Sequence, residues 1–240
     1  MPSDLPVIDP TQQRVRELSL TALLAFLLLL VFVLTPLVEQ GVIGQLAAGV
    51  LWALPGVLAV LVVSRHHVAV AVIVAATGAG LATAILDRPS AVSALVARSS
   101  AVVAFGVLGG VIAGAVFGPG RVTWHRIQGG VALYLIVALF FAHLYGLLAV
   151  LVPETFSGGP TGLKAHEAGL NAHAVFYRGR LLYFSLVTLT TTGYGDIVPL
   201  HSVARSQATL EAVIGQLYPA TLLARLVTLE MQGRRPSDES

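Results

Sequence analysis

Six long apolar stretches run through the chain, and their length constrains the fold more than any other feature of the sequence. A helix needs about 20 mostly apolar residues, each rising about 1.5 Å, to cross the hydrocarbon core of a bilayer. The stretches lie at residues 18–38, 42–63, 68–86, 91–117, 130–152 and, with a more mixed composition, 203–229. The sequence therefore predicts an all-α membrane protein with six transmembrane helices.

The composition excludes most classes of soluble protein. Of the 240 residues, 56% are hydrophobic and 11% are charged, whereas an ordinary soluble domain is about a quarter charged. The net charge of +2 is too small and too scattered to form a nucleic-acid-binding face. The absence of cysteine excludes disulfides and thiolate zinc sites, and no Gly-x-Ser-x-Gly or His-Glu-x-x-His motif occurs. We therefore expect neither an enzymatic activity nor a cofactor.

The arginines predict how the helices are oriented in the membrane, because short cytoplasmic loops carry an excess of Lys and Arg. Six spans place one group of arginines on the same side: Arg14, Arg16, Arg65, Arg121, Arg126, Arg234 and Arg235. The short loops of the opposite side contain one, Arg88. The preference for arginine over lysine also weakly indicates a bacterial source. We expect a multi-pass protein of the cell (inner) membrane whose termini, 1–17 and 232–240, are cytoplasmic.

The segment between the last two apolar stretches has a different character. Residues 153–178 are rich in Gly, Pro, Asn and His, as is typical of a solvated loop, here extracellular. Residues 180–190 form an apolar run too short to cross the bilayer, and a Gly-rich stretch at 191–196 follows it. Non-helical backbone is tolerated at membrane depth only where protein or a water-filled cavity surrounds it. This order predicts a short re-entrant helix followed by extended chain.

The Gly-rich stretch, Thr191-Thr192-Gly193-Tyr194-Gly195-Asp196, resembles the selectivity filter of the potassium-channel pore family, whose common form is Thr-Val-Gly-Tyr-Gly-Asp. The match extends over a pore domain at 127–231, in the order outer helix, loop, pore helix at 180–190, filter and inner helix at 203–229. The resemblance implies four copies of the chain around a four-fold axis. It also implies passive, single-file conduction of K⁺.

The resemblance assigns a role to each filter residue. Backbone carbonyls along Thr191–Gly195 would replace the water around a dehydrated K⁺ ion, and the Thr191 hydroxyl would add the innermost oxygen ring. Gly193 and Gly195 are spaced so that alternate residues can take positive φ and turn successive carbonyls towards one axis. Tyr194 would pack against the pore helix, and Asp196 would concentrate cations at the pore mouth.

Two departures from the family pattern concern support of the filter. Thr192 replaces the usual valine, and Val187 stands where some members have a glutamate paired with the filter aspartate. We therefore expect Asp196 to be held by Tyr183, at a position where the family often has tryptophan. Thr190 is a further candidate for filter support.

The first four apolar stretches, within residues 18–126, are predicted to form a peripheral domain without a conventional voltage sensor. Such sensors carry arginines at every third position of the fourth span, whereas 91–117 contains one cation, Arg98. The sequence does not reveal what opens the pore. Two alternatives to a potassium-selective channel remain: a weakly selective cation channel and the pore subunit of a potassium transport system.

Gly215 and Pro219 are four residues apart in the predicted inner helix. Proline at 219 removes the hydrogen bond to the Gly215 carbonyl and crowds it, so a kink is expected there. The kink is either a gating hinge or a static bend.

Glu211 and His143 are ionisable residues inside predicted spans, where they require partners. They lie at similar depths, and we hypothesise a buried contact of Glu211 with His143 or with Arg98. The alternative is that Glu211 bonds to the Ser/Thr-rich foot of the pore helix and is structural.

The predicted extracellular loop contains His166, Glu167 and His173, which could be read as a metal site. Two of these, His166 and His173, would share a face if the loop were helical. Solvated loop residues are the simpler interpretation.

Overall fold

The computed structural model describes residues 10–63, 67–86, 90–118, 124–152, 155–157 and 174–233. Several predictions concern residues outside these ranges. They are the tail at 234–240, most of the loop at 153–178 with its possible metal site at His166, Glu167 and His173, and the arginines at positions 65, 88, 121, 234 and 235.

The described chain is almost entirely helical. Helix α1 spans Pro10–Leu29 and continues through a π-helical turn, Leu30–Leu34, into α2, Thr35–Glu39. The remaining helices are α3 (Gln45–Val63), α4 (His67–Ile85), α5 (Ala91–Phe117), α6 (Trp124–Leu151), α7 (Ala174–Leu189) and α8 (Ser202–Gly233). Two short strands, β1 (Phe156–Ser157) and β2 (Val198–Pro199), flank α7 in the sequence.

The π-helical turn in the first apolar stretch has a local cause. Pro36 lacks an N–H group, and its ring would crowd the carbonyl of the preceding turn of a regular α-helix. The helix widens just before it, so that the Thr35 N–H bonds to the Leu30 carbonyl five residues back. The Thr35 hydroxyl donates to the same carbonyl at 2.7 Å, and the chain stays helical through the proline.

Three of the described helical stretches are long and apolar enough to cross a membrane: Leu20–Glu39, Ala91–Phe117 and Arg126–Leu151. Shorter apolar helices occur at Ala47–Val60, His67–Thr83 and Gly179–Leu189. The prediction of a mostly helical protein is confirmed, and three of its helices are candidate membrane spans. Within the described residues, length and hydropathy support three of the six expected spans.

Glycines allow the fourth predicted span to pack closely on the fifth. A Cβ atom at Gly106 would lie 3.4 Å from the Phe140 ring, and one at Gly109 would lie 3.4 Å from Ile136. The largest buried apolar cluster is centred on this contact between α5 and α6 and includes α1 residues such as Leu23 and Leu27. The core therefore joins the peripheral helices to α6.

Helices α6, α7 and α8 form a second unit in which α7 packs against both of the other helices. A second apolar cluster, with Phe141, Tyr145, Phe156 and Phe184 at its centre, packs these helices together. Strands β1 and β2 pair antiparallel, with Phe156 opposite Pro199, and the Leu200 N–H bonds to the Thr155 carbonyl at 2.8 Å. This pairing, which the sequence did not predict, joins the end of α6 to the chain that follows residue 196.

Candidate functional site

The helix α7 ends at Leu189, and the next residues take a backbone of alternating hand. Thr191, Gly193 and Gly195 have φ angles of 58°, 53° and 79°. Positive φ is freely accessible to glycine but costs energy for threonine, for which it is uncommon. Positive φ is therefore present at both glycines, as expected. It also occurs two residues earlier, at Thr191, where neighbouring groups must stabilise the unfavourable backbone.

The N–H groups of this segment bond to carbonyls at the end of α7. The Thr192 and Gly193 N–H groups both donate to the Val187 carbonyl, at 2.8 and 3.1 Å, and the Thr191 N–H donates to Thr188 at 2.9 Å. The last carbonyls of a helix lack partners within it, so they are natural acceptors. Val187, which departs from the family pattern in its side chain, thus holds the segment through its backbone.

The carbonyl oxygens of the same segment remain available. Within the described ranges, no hydrogen bond to a carbonyl of residues 191–195 is formed. All residues from Thr190 to Asp196 are exposed, and the Tyr194 side chain is 72% exposed, whereas Leu189 and Ile197 on either side are buried. One chain therefore exposes a row of carbonyl oxygens without donors, and it cannot cover that row by itself.

Two threonine hydroxyls support the start of the segment. The Thr190 hydroxyl donates to the Leu186 carbonyl at 2.7 Å and lies 2.9 Å from the Thr192 hydroxyl. Because Thr190 uses its one proton on Leu186, Thr192 donates to Thr190. The threonine that replaces the family's valine is thus part of a hydrogen-bonded chain that ends on α7.

The carboxylate at the end of the segment contacts α7 as well. The Tyr183 hydroxyl lies close to the Asp196 carboxylate, although neither residue is buried within the single chain. This contact is the one expected from the absence of a glutamate at position 187. Tyr194 also lies near Tyr183, but its side chain is not buried against α7 within its own chain.

Glu211 is fully buried, and its partners are neutral hydroxyls. The Tyr145 hydroxyl donates to Glu211 Oε2 at 2.5 Å, and the Ser185 hydroxyl hydrogen-bonds to Oε1. Ser185 Oγ also lies 2.8 Å from the Ala138 carbonyl oxygen. The hypothesised contact of Glu211 with His143 or Arg98 is wrong, and the alternative, a bond to α7, is what the structure shows.

The reason is the direction in which the other two side chains point. His143 faces the peripheral helices, where its ring stacks on Phe105 at 5.4 Å and meets the edge of Trp52 at 5.8 Å. Arg98 is buried beside Gly146, at which a Cβ atom would lie 2.9 Å from the guanidinium. Both belong to the contact of α6 with the peripheral helices, on the opposite side from Glu211.

Gly215 is a position of close approach. A side chain there would collide with the backbone carbonyl of Leu189, the last residue of α7. The same carbonyl accepts a hydrogen bond from the Tyr134 hydroxyl at 3.1 Å. Helix α8 continues without interruption through Pro219 to Gly233, so the glycine and proline predicted as a hinge lie within one helix that touches the start of the candidate site.

Sequence reasoning missed the aromatic and cationic residues that join α8 to its neighbours. The Tyr218 hydroxyl donates to the Gly130 carbonyl at 2.8 Å. The Arg225 guanidinium donates to the Gly118 carbonyl at 2.7 Å and lies over the Phe117 ring, 5.8 Å from its centroid. The spacing of seven residues between Tyr218 and Arg225, which places both on one face of a helix, was the signal available.

Comparisons with known proteins agree with this geometry. Residues 161–232 match a family model described as an ion channel, a range that includes α7, the exposed segment and most of α8. Protein LctB of Bacillus caldotenax is 33% identical over 94 residues, which are 39% of this chain and 64% of that relative. The match thus spans slightly less than two thirds of the relative. No solved structure matches the chain.

The resemblance to a channel pore family that the sequence indicated is confirmed by these matches. Residues 161–232 thus resemble an ion-channel domain, and three of the described helices are long and apolar enough to cross a membrane.

Proposed function

We propose that this chain is one subunit of a potassium-selective channel that conducts passively through residues 191–195. The observation that carries the proposal is the backbone alternation at Thr191, Gly193 and Gly195. In the same segment, N–H groups bond to carbonyls of α7, whereas the carbonyls of residues 191–195 accept no hydrogen bond from the described residues. A dehydrated K⁺ ion needs a cage of such oxygens, and no other arrangement of the described residues offers one.

The exposure of the segment supports a homotetramer. One strand of carbonyls covers one side of an ion, and a side chain as large as Tyr194 is left 72% exposed. Helix α8 also exposes large apolar side chains, which are Val203, Leu210, Val213, Leu217, Leu223 and Val227. Four copies around a four-fold axis would complete the cage and cover these surfaces, with α7 as the pore helix and α8 as the inner helix.

The remaining parts of the proposal concern the membrane and the gate. The chain would cross the cell membrane six times, with both termini in the cytoplasm and Asp196 at the extracellular mouth. Arg98 is buried against α6 and is the one cation of α5, which supports a peripheral domain that is no conventional voltage sensor. Gly215 and Pro219 are the candidates for a gating hinge.

The test is ion flux in liposomes that contain the purified protein. We expect K⁺ efflux that greatly exceeds Na⁺ efflux under the same gradient. Comparable Na⁺ flux would instead support a weakly selective cation channel, and flux that requires an added partner protein would support a subunit of a transport system.

A matched pair of glycine substitutions tests the site itself. Gly193→Ala forces a side chain onto a residue with φ of 53°, whereas Gly110→Ala, within α5, meets no atom within 4 Å and has no such φ. We expect at least a tenfold loss of K⁺ flux for Gly193→Ala and no loss for Gly110→Ala. Equal flux in both variants contradicts the role of residues 191–195.

A further inference from the structure

A cavity lies between the peripheral helices and α6, and none of its lining residues belongs to α7, α8 or residues 190–196. Its walls come from α3, α4, α5 and one residue of α6, and its volume is about 60 Å³. A single water molecule requires roughly 10–15 Å³, so the space is several times larger than one water. Ser100 and Ala104 on its wall lie within the candidate span Ala91–Phe117.

The cavity owes its existence to small residues at helix contacts. Eight of the lining positions are alanine or glycine on facing helices, for example Gly56, Gly80 and Ala104. The floor, by contrast, is aromatic. The His143 ring stacks on Phe105 and meets Trp52 edge to face, and this gives a flat apolar surface inside a wall of small side chains.

Two hydrogen-bond donors of this cavity have no acceptor. Within the described part of the chain, neither the Thr77 hydroxyl nor the Trp52 indole N–H forms a hydrogen bond. A threonine in a helix commonly donates to a carbonyl of its own preceding turn, as Thr83 does to Gly80 at 2.7 Å. Trp52 is buried and Thr77 is partly buried, and a donor without an acceptor in apolar surroundings costs free energy, so this pair points to an occupant with an acceptor atom.

The lining also limits the charge of the occupant. The cavity wall contains no carboxylate, lysine or arginine among the lining residues, and its other polar groups are Ser100 and His143. The Ser100 hydroxyl donates to the Ala97 carbonyl at 3.1 Å, so it offers only acceptor capacity. A charged ligand would lack a counter-charge here, whereas a neutral one with a compact apolar body fits both floor and walls.

We propose that this cavity is a binding site for a small neutral amphiphile, such as a short-chain alcohol, that enters from the bilayer. Its oxygen accepts from Thr77 or Trp52, and its apolar part rests on the rings of Phe105 and His143. The occupant thereby contacts the peripheral helices and α6 together. This inference does not depend on the ion selectivity of the pore.

Tryptophan fluorescence tests the proposal directly, because the chain contains two tryptophans, Trp52 and Trp124. In a Trp124→Phe background, Trp52 is the sole reporter and lies in the cavity wall. The full chain is reconstituted in phosphatidylcholine nanodiscs and titrated with 3-bromopropan-1-ol, whose bromine quenches indole on contact. We expect quenching with a saturable component, and a weaker one for 1-bromobutane at equal membrane concentration, since a methyl replaces the hydroxyl.

Matched variants separate the cavity from the lipid surface. Ala104→Phe fills the cavity and should abolish the saturable component, whereas Val103→Phe adds the same ring to the same helix at a side chain that is 46% exposed and does not line the cavity. Thr77→Val keeps the shape, removes one donor and should weaken binding at least threefold. If Ala104→Phe does not fold, the Thr77→Val variant still tests the proposal.

Two results overturn the proposal. One is quenching that rises linearly and equally in all variants, which means partitioning into lipid alone. The other is saturable quenching that Thr77→Val leaves unchanged and that 1-bromobutane reproduces, which means a purely apolar void without the hydrogen bond.

Discussion

At the scale of single residues, the most costly group in the bundle is a carboxyl with no exposed surface. Glu211 receives hydrogen bonds from Tyr145 and Ser185, which lie on two different helices. Ser185 has a second acceptor, the Ala138 carbonyl, at 2.8 Å. The network can therefore rearrange when the chemistry at position 211 changes.

This flexibility predicts different outcomes for two substitutions of Glu211. Glu211→Gln should be tolerated within about 1 kcal/mol, because its amide can donate to Ser185 while Ser185 donates to Ala138. Glu211→Leu leaves the buried Tyr145 hydroxyl unpaired and should lower the free energy of unfolding by about 1–3 kcal/mol. Denaturant unfolding in detergent micelles measures both.

Double substitutions give the control for that prediction. Tyr145→Phe should recover part of the loss caused by Glu211→Leu, because the unpaired hydroxyl is removed. His143→Leu should be additive with Glu211→Leu, because the two side chains point to opposite sides of α6. A strong coupling of His143 with Glu211 would contradict the observed network.

The hydroxyl pair of Thr190 and Thr192 leads to a second prediction at this scale. Thr192→Val removes the bond to Thr190 at 2.9 Å and should destabilise the assembled protein by about 0.5–1.5 kcal/mol, while conduction persists. Thr190→Val should cost a similar amount, and the double variant should cost less than the sum. Thermal unfolding with a parallel flux assay checks this, and full additivity would show that the hydroxyls do not interact.

At the scale of elements, the contact between α7 and α8 depends on one missing side chain. Gly215→Ala would drive a methyl group into the Leu189 carbonyl, at the point where α7 passes into the candidate filter. Overpacking of this kind costs about 1–3 kcal/mol, and it should reduce K⁺ flux at least tenfold. Size-exclusion chromatography and flux are the measurements, with Gly110→Ala as the glycine control.

The C-terminal half of α8 is joined to α5 by one cationic side chain, Arg225. Arg225→Gln removes the donor to the Gly118 carbonyl at 2.7 Å and the stacking over Phe117. We expect a loss of about 1–3 kcal/mol of stability and a changed open probability in planar bilayers. Thr228→Ala is the control, because that hydroxyl bonds within its own helix at 2.8 Å. Unchanged gating in Arg225→Gln would show that this contact does not transmit motion.

At the scale of the whole molecule, the proposed filter would be shared by four chains and should be stabilised by its ion. Binding to the assembled form alone raises its stability by RT ln(1 + [K⁺]/Kd). The tetramer should therefore dissociate at a higher temperature in KCl than in N-methylglucamine chloride at equal ionic strength. Gly193→Ala should lose most of this difference, and an equal melting temperature in both salts would contradict an ion-stabilised filter.

Several local features of the chain could be predicted from sequence because local rules act on consecutive residues. The start of α5 at Ala91 follows from Ser90, whose side chain caps the helix together with Ser93. The left-handed backbone at Gly193 and Gly195 follows from the residue type, and the match of residues 161–232 to an ion-channel family follows from the motif. Helix ends were less certain: α7 spans Ala174–Leu189, whereas the sequence predicted a helix at 180–190.

The partners of buried polar groups could not be predicted, because depth along a helix does not fix the direction in which a side chain points. Glu211 and His143 were placed at similar depths, yet the rotation of α6 directs His143 towards Phe105 and Tyr145 towards Glu211. The pairing of β1 with β2 also depends on a contact between segments some 40 residues apart. Only the folded chain brings such segments together.

The sequence by itself determined that the chain is mostly helical with apolar helices and that it resembles an ion-channel domain, because apolar length and a glycine-spaced motif are local properties. Only the tertiary structure decided which hydroxyls bond to Glu211, why the contact with Leu189 requires a glycine at position 215, and where α8 meets α5. It also revealed a cavity with two unpaired donors, at Thr77 and Trp52. The physical reason is that each of these features depends on the relative rotation and spacing of helices, which packing of the whole bundle sets.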